Sequence, residues 1–495
     1  MFYEQIIYPI WQNIQYNGDA NAFNIAGTYY TYQQFGEKIA AIRHLLNKDM
    51  LTNKCVGLVI NDDIETYAAI FALWFDGLCY VPLHPNWPLE RCKDIIAQIQ
   101  MGLILDSSKV SRYDSKIVLR TCELECSSSF IKDVYDIKDS ELAYILFTSG
   151  STGQPKGVQL SRENLASFVY AFTQIYQLSP KDRCLQCFDL SFDLSIISYL
   201  LPLVNGACVY TVPNNVIKYA YIGELIEDQQ LTFALMAPST IKFLKPYFDE
   251  FDCSSLKYSL FCGEALHEDI TREWSMCAVN AIIDNVYGPT EDTIFCSTYR
   301  FHREGINKSY NGVLSIGQPM ANCGMEVFNE NREICAVDEL GELCLSGKQL
   351  TPGYHNNEAK NQEAFFVKDG VRWYRSGDLC YKDADGDIMY SGRLDHQAKI
   401  QGYRVELGEI EYHAHEYLKD KNVVCLAYDN QDGIAEIAMF IEAEPSDSSD
   451  MLSYMRNKMP AYMIPSQIIF ISSFPINQNG KTDKKALKEK ITLNN

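Results

Sequence analysis

Residues 148–157, TSGSTGQPKG, constrain this chain more than any other stretch. They follow directly on Ala143-Tyr144-Ile145-Leu146-Phe147, an apolar run of strand length. Gly150, Gly153 and Gly157 remove side-chain bulk and permit positive φ, so consecutive backbone N–H groups can converge on an anion. Thr148, Ser149, Ser151 and Thr152 add hydroxyl donors, and Lys156 adds a charge. The run is not GxxxxGK[ST], because Gly157 follows Lys156. A flexible Gly/Ser linker seldom begins at the end of a buried strand, whereas a phosphate-binding loop does.

The surrounding pattern is that of an α/β fold. Residues 55–60, 143–147 and 342–345 read as buried strands, and longer stretches with helical spacing lie between such runs. Leu165, Phe168, Val169, Phe172 and Ile175/Tyr176 form one apolar stripe, with Ser161 as the N-cap. The later chain changes character: residues 381–390 hold three acidic residues and Gly386, a hairpin-like stretch before Gly392-Arg393-Leu394-Asp395. We therefore divide the chain into a large unit, 1–394, of stacked sheets and helices, and a small mobile α+β unit, 395–495. Residues 442–450 read as a solvated acidic loop within the small unit.

At 495 residues and a formal charge of −21, the chain repels nucleic-acid backbones and anionic membranes as primary partners. No apolar run is long enough to span a membrane, and no secretory signal opens the chain, so a cytoplasmic location is expected. Seventeen cysteines, an odd number, scatter singly and read as reduced thiols. Cys184 and Cys187 have CxxC spacing, but no second pair or matching histidine spacing completes a zinc site.

Further motifs occur in order. They are Tyr80-Val81-Pro82-Leu83, Asn285-Val286-Tyr287-Gly288-Pro289-Thr290-Glu291, Tyr374-Arg375-Ser376-Gly377-Asp378-Leu379, GYRVELGEIE at 402–411 and Asn479-Gly480-Lys481. Together with the loop, this set resembles the adenylate-forming superfamily of acyl-CoA synthetases, luciferases and peptide-synthetase adenylation domains, from about Thr31 to Leu487. It looks closest to stand-alone amino-acid adenylation domains and D-alanine–carrier-protein ligases.

The resemblance implies ATP and Mg²⁺. Thr148, Ser149, Gly150, Ser151, Thr152, Gly153 and Lys156 would hold phosphates, Asn285 and Tyr287 would meet adenine, and Gly263 and Glu264 would also bind ATP. Asp378 would accept from the ribose hydroxyls, with Arg393 beside it. Thr290 would contact the α-phosphate, and Glu291, a hard oxygen ligand, the metal. Lys481 would bridge the substrate carboxylate and phosphate, arriving only on closure. Asp395 would be the hinge about which the small unit turns, bringing Gln401-Gly402-Tyr403 to the active site for thioester formation. Read without the resemblance, Gly-Pro-Thr-Glu is a helix start and Asp193 an N-cap.

Asp193, in the run Leu190-Ser191-Phe192-Asp193, matches the aspartate that binds a substrate α-ammonium. The matching pocket positions are Leu194, Ile197, Met236, Leu260, Cys262, Val286, Ile294 and Phe295, a wholly apolar lining. Leaving a polar side chain unpaired there would cost a few kcal/mol, so an apolar amino acid is expected. Branched aliphatics fit best, while Phe261-Cys262-Gly263-Glu264 resembles D-alanine ligases and keeps a small residue open. Ser198, His84 and Gln401 depart from the common Glu, Asp and Arg of the pattern. Only 14 residues follow Lys481, so a free-standing enzyme loading a separate phosphopantetheinylated carrier protein is expected. An acid–CoA ligase and a catalytically inactive nucleotide-binding scaffold are the rival readings.

Overall fold

A computed structural model describes residues 1–46, 51, 53–122, 124, 137–150, 154–214, 216–395, 397–476 and 482–491. Ser151, Thr152, Gly153 and Lys481, all expected in the site, lie outside the described residues. The strands form where the apolar runs stand, as Cys55–Val59, Leu142–Thr148 and Gly341–Gly347. The apolar stripe becomes the helix Arg162–Thr173, opened by a capping box between Ser161 and Asn164.

Two sheets dominate. Seven strands run in the order Gly353–Tyr354, Lys156–Ser161, Leu142–Thr148, Cys79–Leu83, Cys55–Val59, Ile104–Asp106, Val118–Arg120. Nine strands form the other, with Ile282–Tyr287, Tyr258–Phe261, Phe233–Met236, Arg183–Gln186 and Cys208–Thr211 adjacent and parallel at its centre. The helix Ile64–Phe75 is buried on every residue but Glu65. A helix apolar all round must lie inside, and its side chains join both sheets in one core with Asp193–Val204 and Arg162–Thr173. A third sheet of five strands includes the expected 381–390 hairpin, formed by Val371–Lys382 and Ile388–Arg393.

Beyond Asp395 the chain forms a hairpin, Gln397–Ile400 with Tyr403–Glu406, the helix Leu407–Leu418 and a three-stranded sheet. Its apolar side chains pack in clusters of their own, around Val405, Ile410 and Met439, and around Phe440 and Leu487. Cys184 and Cys187 are buried thiols, the Cys187 Sγ donating to the Leu235 carbonyl at 3.5 Å. Among the described residues, no helix is long and apolar enough to cross a membrane.

Candidate active site

The parallel strands of the nine-stranded sheet end at one edge, which delivers Met236, Cys262 and Tyr287 together. The strand Leu142–Thr148 delivers the glycine loop from the other sheet. Gly150 is required there: a Cβ would sit 2.1 Å from the Gln154 carbonyl oxygen.

Asp193 is the first residue of Asp193–Val204, and Phe192 is the N-cap, so the carboxylate does not serve as the cap. It is buried, and the Thr290 hydroxyl and the Leu194 and Ile294 N–H groups favour its charged form. Its Oδ2 has no partner among the described residues. Burial pushes its pKa up to about 6, because no cation among the described residues compensates the charge. Of the expected apolar positions, Leu194, Ile197, Leu260, Cys262, Val286, Ile294 and Phe295 share one buried cluster, and Met236 lies in the neighbouring one. Ser198 turns its hydroxyl back onto the Leu194 carbonyl at 2.9 Å and leaves the lining apolar.

Tyr287 donates its hydroxyl to Asp378, whose other oxygen takes the Arg393 guanidinium at 2.7 Å. A carboxylate oxygen carries further lone pairs, so Asp378 retains acceptor capacity for ribose hydroxyls. Asn285 spends its amide donors on the Leu314 and Ser315 carbonyls, at 3.3 and 2.9 Å; a base edge would meet only its carbonyl oxygen. Arg393 also grips Asp395 at 2.7 and 2.5 Å. Gly377 makes room for that pair, since a Cβ there would lie 2.6 Å from Asp395 Oδ2. Glu264 accepts from the Ser239 N–H at 2.7 Å, and Gly263, at φ +93°, faces the backbone of Gly402.

The end of the site at the glycine loop is occupied by residues that follow Asp395. Glu406 Oε1 lies 3.2 Å from Lys156 Nζ, and Glu409 Oε2 accepts the Gly150 N–H at 2.9 Å. The Ser149 hydroxyl bridges the Arg404 carbonyl and the Glu406 N–H at 3.2 and 3.0 Å. Arg404 Nη1 binds Glu291 Oε2 at 2.7 Å, and the Tyr354 hydroxyl binds Oε1 at 2.7 Å. Arg404 and Lys156 hold Glu291 ionised, with a pKa lowered to about 2 against the pull of burial. A second buried pair, Arg91–Glu409 at 2.6 Å, fastens the same helix end. Each carboxylate thus occupies a donor that the sequence reading assigned to phosphate.

Arg404, Glu406, Glu409, Arg91, Tyr354 and Lys399, whose ammonium stands 5.5 Å over the Tyr287 ring, are positions at the candidate site that the sequence alone did not single out. Three of them lie in the GYRVELGEIE motif, so the signal was present; Arg91 and Tyr354 offered none. One carboxylate beside phosphates suits Mg²⁺, which keeps several waters, and Glu291 supplies a fully ionised one. Arg404 must leave before Glu291 can serve that ion.

Beside the site, a cavity of about 260 Å³ is bounded by Phe192, Leu194, Ala237, Gly402 and Tyr403 among others. A wider cleft of about 620 Å³ lies between the units, touching His84, Trp87, Asp189, Gln401 and Tyr462. His84 Nε2 pairs with Asp189 at 2.8 Å on its wall. The Tyr403 ring stacks on Tyr462 at 4.1 Å and meets Phe192 edge-on at 4.8 Å.

A family model described as AMP-binding enzyme matches residues 10–355. A linear gramicidin synthase of Brevibacillus parabrevis is 32% identical over 476 residues, covering 92% of this chain and 9% of that protein. Tyrocidine synthase 1 of the same organism is 30% identical over 475 residues, covering 93% of this chain and 42% of that protein. The chain thus spans less than half the length of these curated relatives. Among solved structures, the Vibrio cholerae adenylation domain AlmE, in complex with glycyl-adenosine-5′-phosphate, matches with a TM-score of 0.87 and 28% identity, covering 98% of this chain and 97% of that one. A four-domain nonribosomal peptide synthetase bound to AMP and glycine matches at 0.71 with 27% identity, over 99% of this chain and 36% of that one. An artificially fused adenylation–PCP di-domain from Klebsiella oxytoca shares the fold at 0.82 and 22% identity, over 94% and 93% of the two chains.

Proposed function

Because the chain belongs to the AMP-binding enzyme family, we propose that it activates an apolar amino acid as its aminoacyl-adenylate and then passes it to the phosphopantetheine thiol of a carrier protein. The observation that carries this reading is Asp193: a buried carboxylate with one oxygen unpartnered among the described residues, set in apolar side chains beside Thr290 and Glu291. A substrate ammonium is the partner such a group lacks. The glycine ligands in two of the similar structures support an amino acid as substrate.

In the first half-reaction the substrate carboxylate attacks the α-phosphate of ATP and pyrophosphate leaves. Little covalent help is needed; the chain positions reactants and spreads charge. Asp193 holds the ammonium, and Thr290, whose hydroxyl favours the charged form of Asp193, adjoins the carboxylate end. Lys156 and the Ser149–Gly150 backbone take phosphate oxygens once Glu406 and Glu409 withdraw. Asp378 and Tyr287 hold the nucleoside. Bound by Glu291, Mg²⁺ would neutralise phosphate charge. Lys481 is proposed to complete the clamp with the small unit turned about Asp395.

The docked arrangement, with Gly402 against Gly263 and Tyr403 beside Phe192, supports the second half-reaction. Adenylation–carrier fusions of the same fold support a carrier as the acceptor. Amino-acid-dependent exchange of pyrophosphate into ATP tests the reading. Exchange driven only by acids lacking an amine supports the acid–CoA ligase instead, and no exchange at all supports the inactive scaffold.

A further inference from the structure

We propose that the side-chain end of this pocket is built for the smallest amino acids, glycine first with alanine as the limit, and that Phe295 sets that limit. This rests on the amino-acid reading above and adds to it the size of the substrate. A void able to take a branched side chain admits a water-sized sphere, and so leaves accessible surface on its walls. Ile197, Met236, Leu260 and Phe295 have 0% of theirs accessible, and Ile294 has 1%. What remains lies on Asp193 and Leu194, 6% each, and on Cys262 and Val286, 2% each. Among the described residues, the accessible surface of the lining thus lies at Asp193 and its near neighbours rather than at its far end.

Phe295 cannot retreat. Its ring meets Phe168 edge-on at 5.0 Å, and its backbone lies so close to Gly288 that a Cβ there would be 2.3 Å from the Phe295 Cα. The preceding Thr293 and Ile294 are β-branched yet held at φ +52° and +75°, a conformation that persists only when its surroundings over-determine it. Gln349 does so: its backbone carbonyl takes the Thr293 hydroxyl, and its side-chain amide donates to the Phe295 and Asp292 carbonyls at 3.0 and 3.2 Å. Of the expected lining, the 260 Å³ cavity touches Leu194 alone. Among the described residues, that cavity therefore gives a larger side chain no second direction to take. Close packing makes such a pocket discriminate by overlap, which is steeper than discrimination by lost contact.

The test is pyrophosphate exchange with glycine, D- and L-alanine, L-valine and L-leucine. Glycine or alanine should exceed valine and leucine by at least tenfold in kcat/KM. A preference for valine or leucine overturns this inference and leaves the amino-acid reading intact. A response only to acids without an amine overturns both, and the two failures are thereby told apart. Phe295→Ala should raise valine relative to glycine by at least tenfold; a folded variant with unchanged preference removes Phe295 from the role. Should Phe295→Ala not fold, Met236→Ala enlarges the lining at a second position, and the wild-type panel decides independently of either variant.

Discussion

Glu409→Leu separates the two half-reactions if the small unit docks as described. In the docked arrangement Glu409 is fully buried; it takes Arg91 at 2.6 Å on one oxygen and the Gly150 N–H at 2.9 Å on the other. Arg91 is only 3% exposed there, and its Nε already lacks a partner among the described residues. Removing the carboxylate strands a buried guanidinium, which costs about 3–5 kcal/mol. The cost falls on the docked state alone, because undocking returns Arg91 to water. At about 1.4 kcal/mol per decade, the docked population falls roughly a hundred- to several-thousand-fold. Pantetheine acylation from preformed adenylate, measured in single turnover, should fall by that factor, while pyrophosphate exchange changes less than threefold. The double variant Arg91→Leu/Glu409→Leu should recover most of the loss, since an apolar pair replaces a buried ion pair at little net cost. Equal losses in both half-reactions, or no recovery in the double variant, would refute the reasoning.

Asp193→Asn should raise the amino-acid KM at least a hundredfold and the ATP KM less than threefold. Because the free carboxyl has a pKa pushed up to about 6 and the ammonium requires it ionised, wild-type amino-acid affinity should fall about tenfold per pH unit below 6 and level above it. A flat profile from pH 5 to 7.5 counts against the assignment. Asp292 is buried, neither oxygen has an N–H or O–H donor among the described residues, and its pKa is raised to about 8 by that burial. A folded value above the unfolded one means stability is full below about pH 4 and is lost as pH rises towards 8, by on the order of a few kcal/mol. The Tm of Asp292→Asn should lack that decline; an identical slope in both proteins contradicts the burial account. Gly288→Ala forces a Cβ to 2.3 Å from the Phe295 Cα, so it should lower stability by more than about 2 kcal/mol and abolish exchange. Denaturant unfolding that matches wild type would show that the backbone contact can relax.

Much of this was written locally. The glycine loop, the Ser161 cap, the strands and the 381–390 hairpin follow from residue type and short-range periodicity, because turn sterics and side-chain alternation act over a few residues. The ordered motifs were enough to identify the family. Three-dimensional packing alone decided the rest. Which donors Glu406 and Glu409 reach depends on a contact across about 250 residues, a distance at which no pattern in the chain encodes a partner. The same holds for the volume left beside Asp193. An apolar residue type says that a wall excludes charge; only the positions of Phe168, Gly288 and Gln349 around Phe295 say how far that wall stands from the substrate.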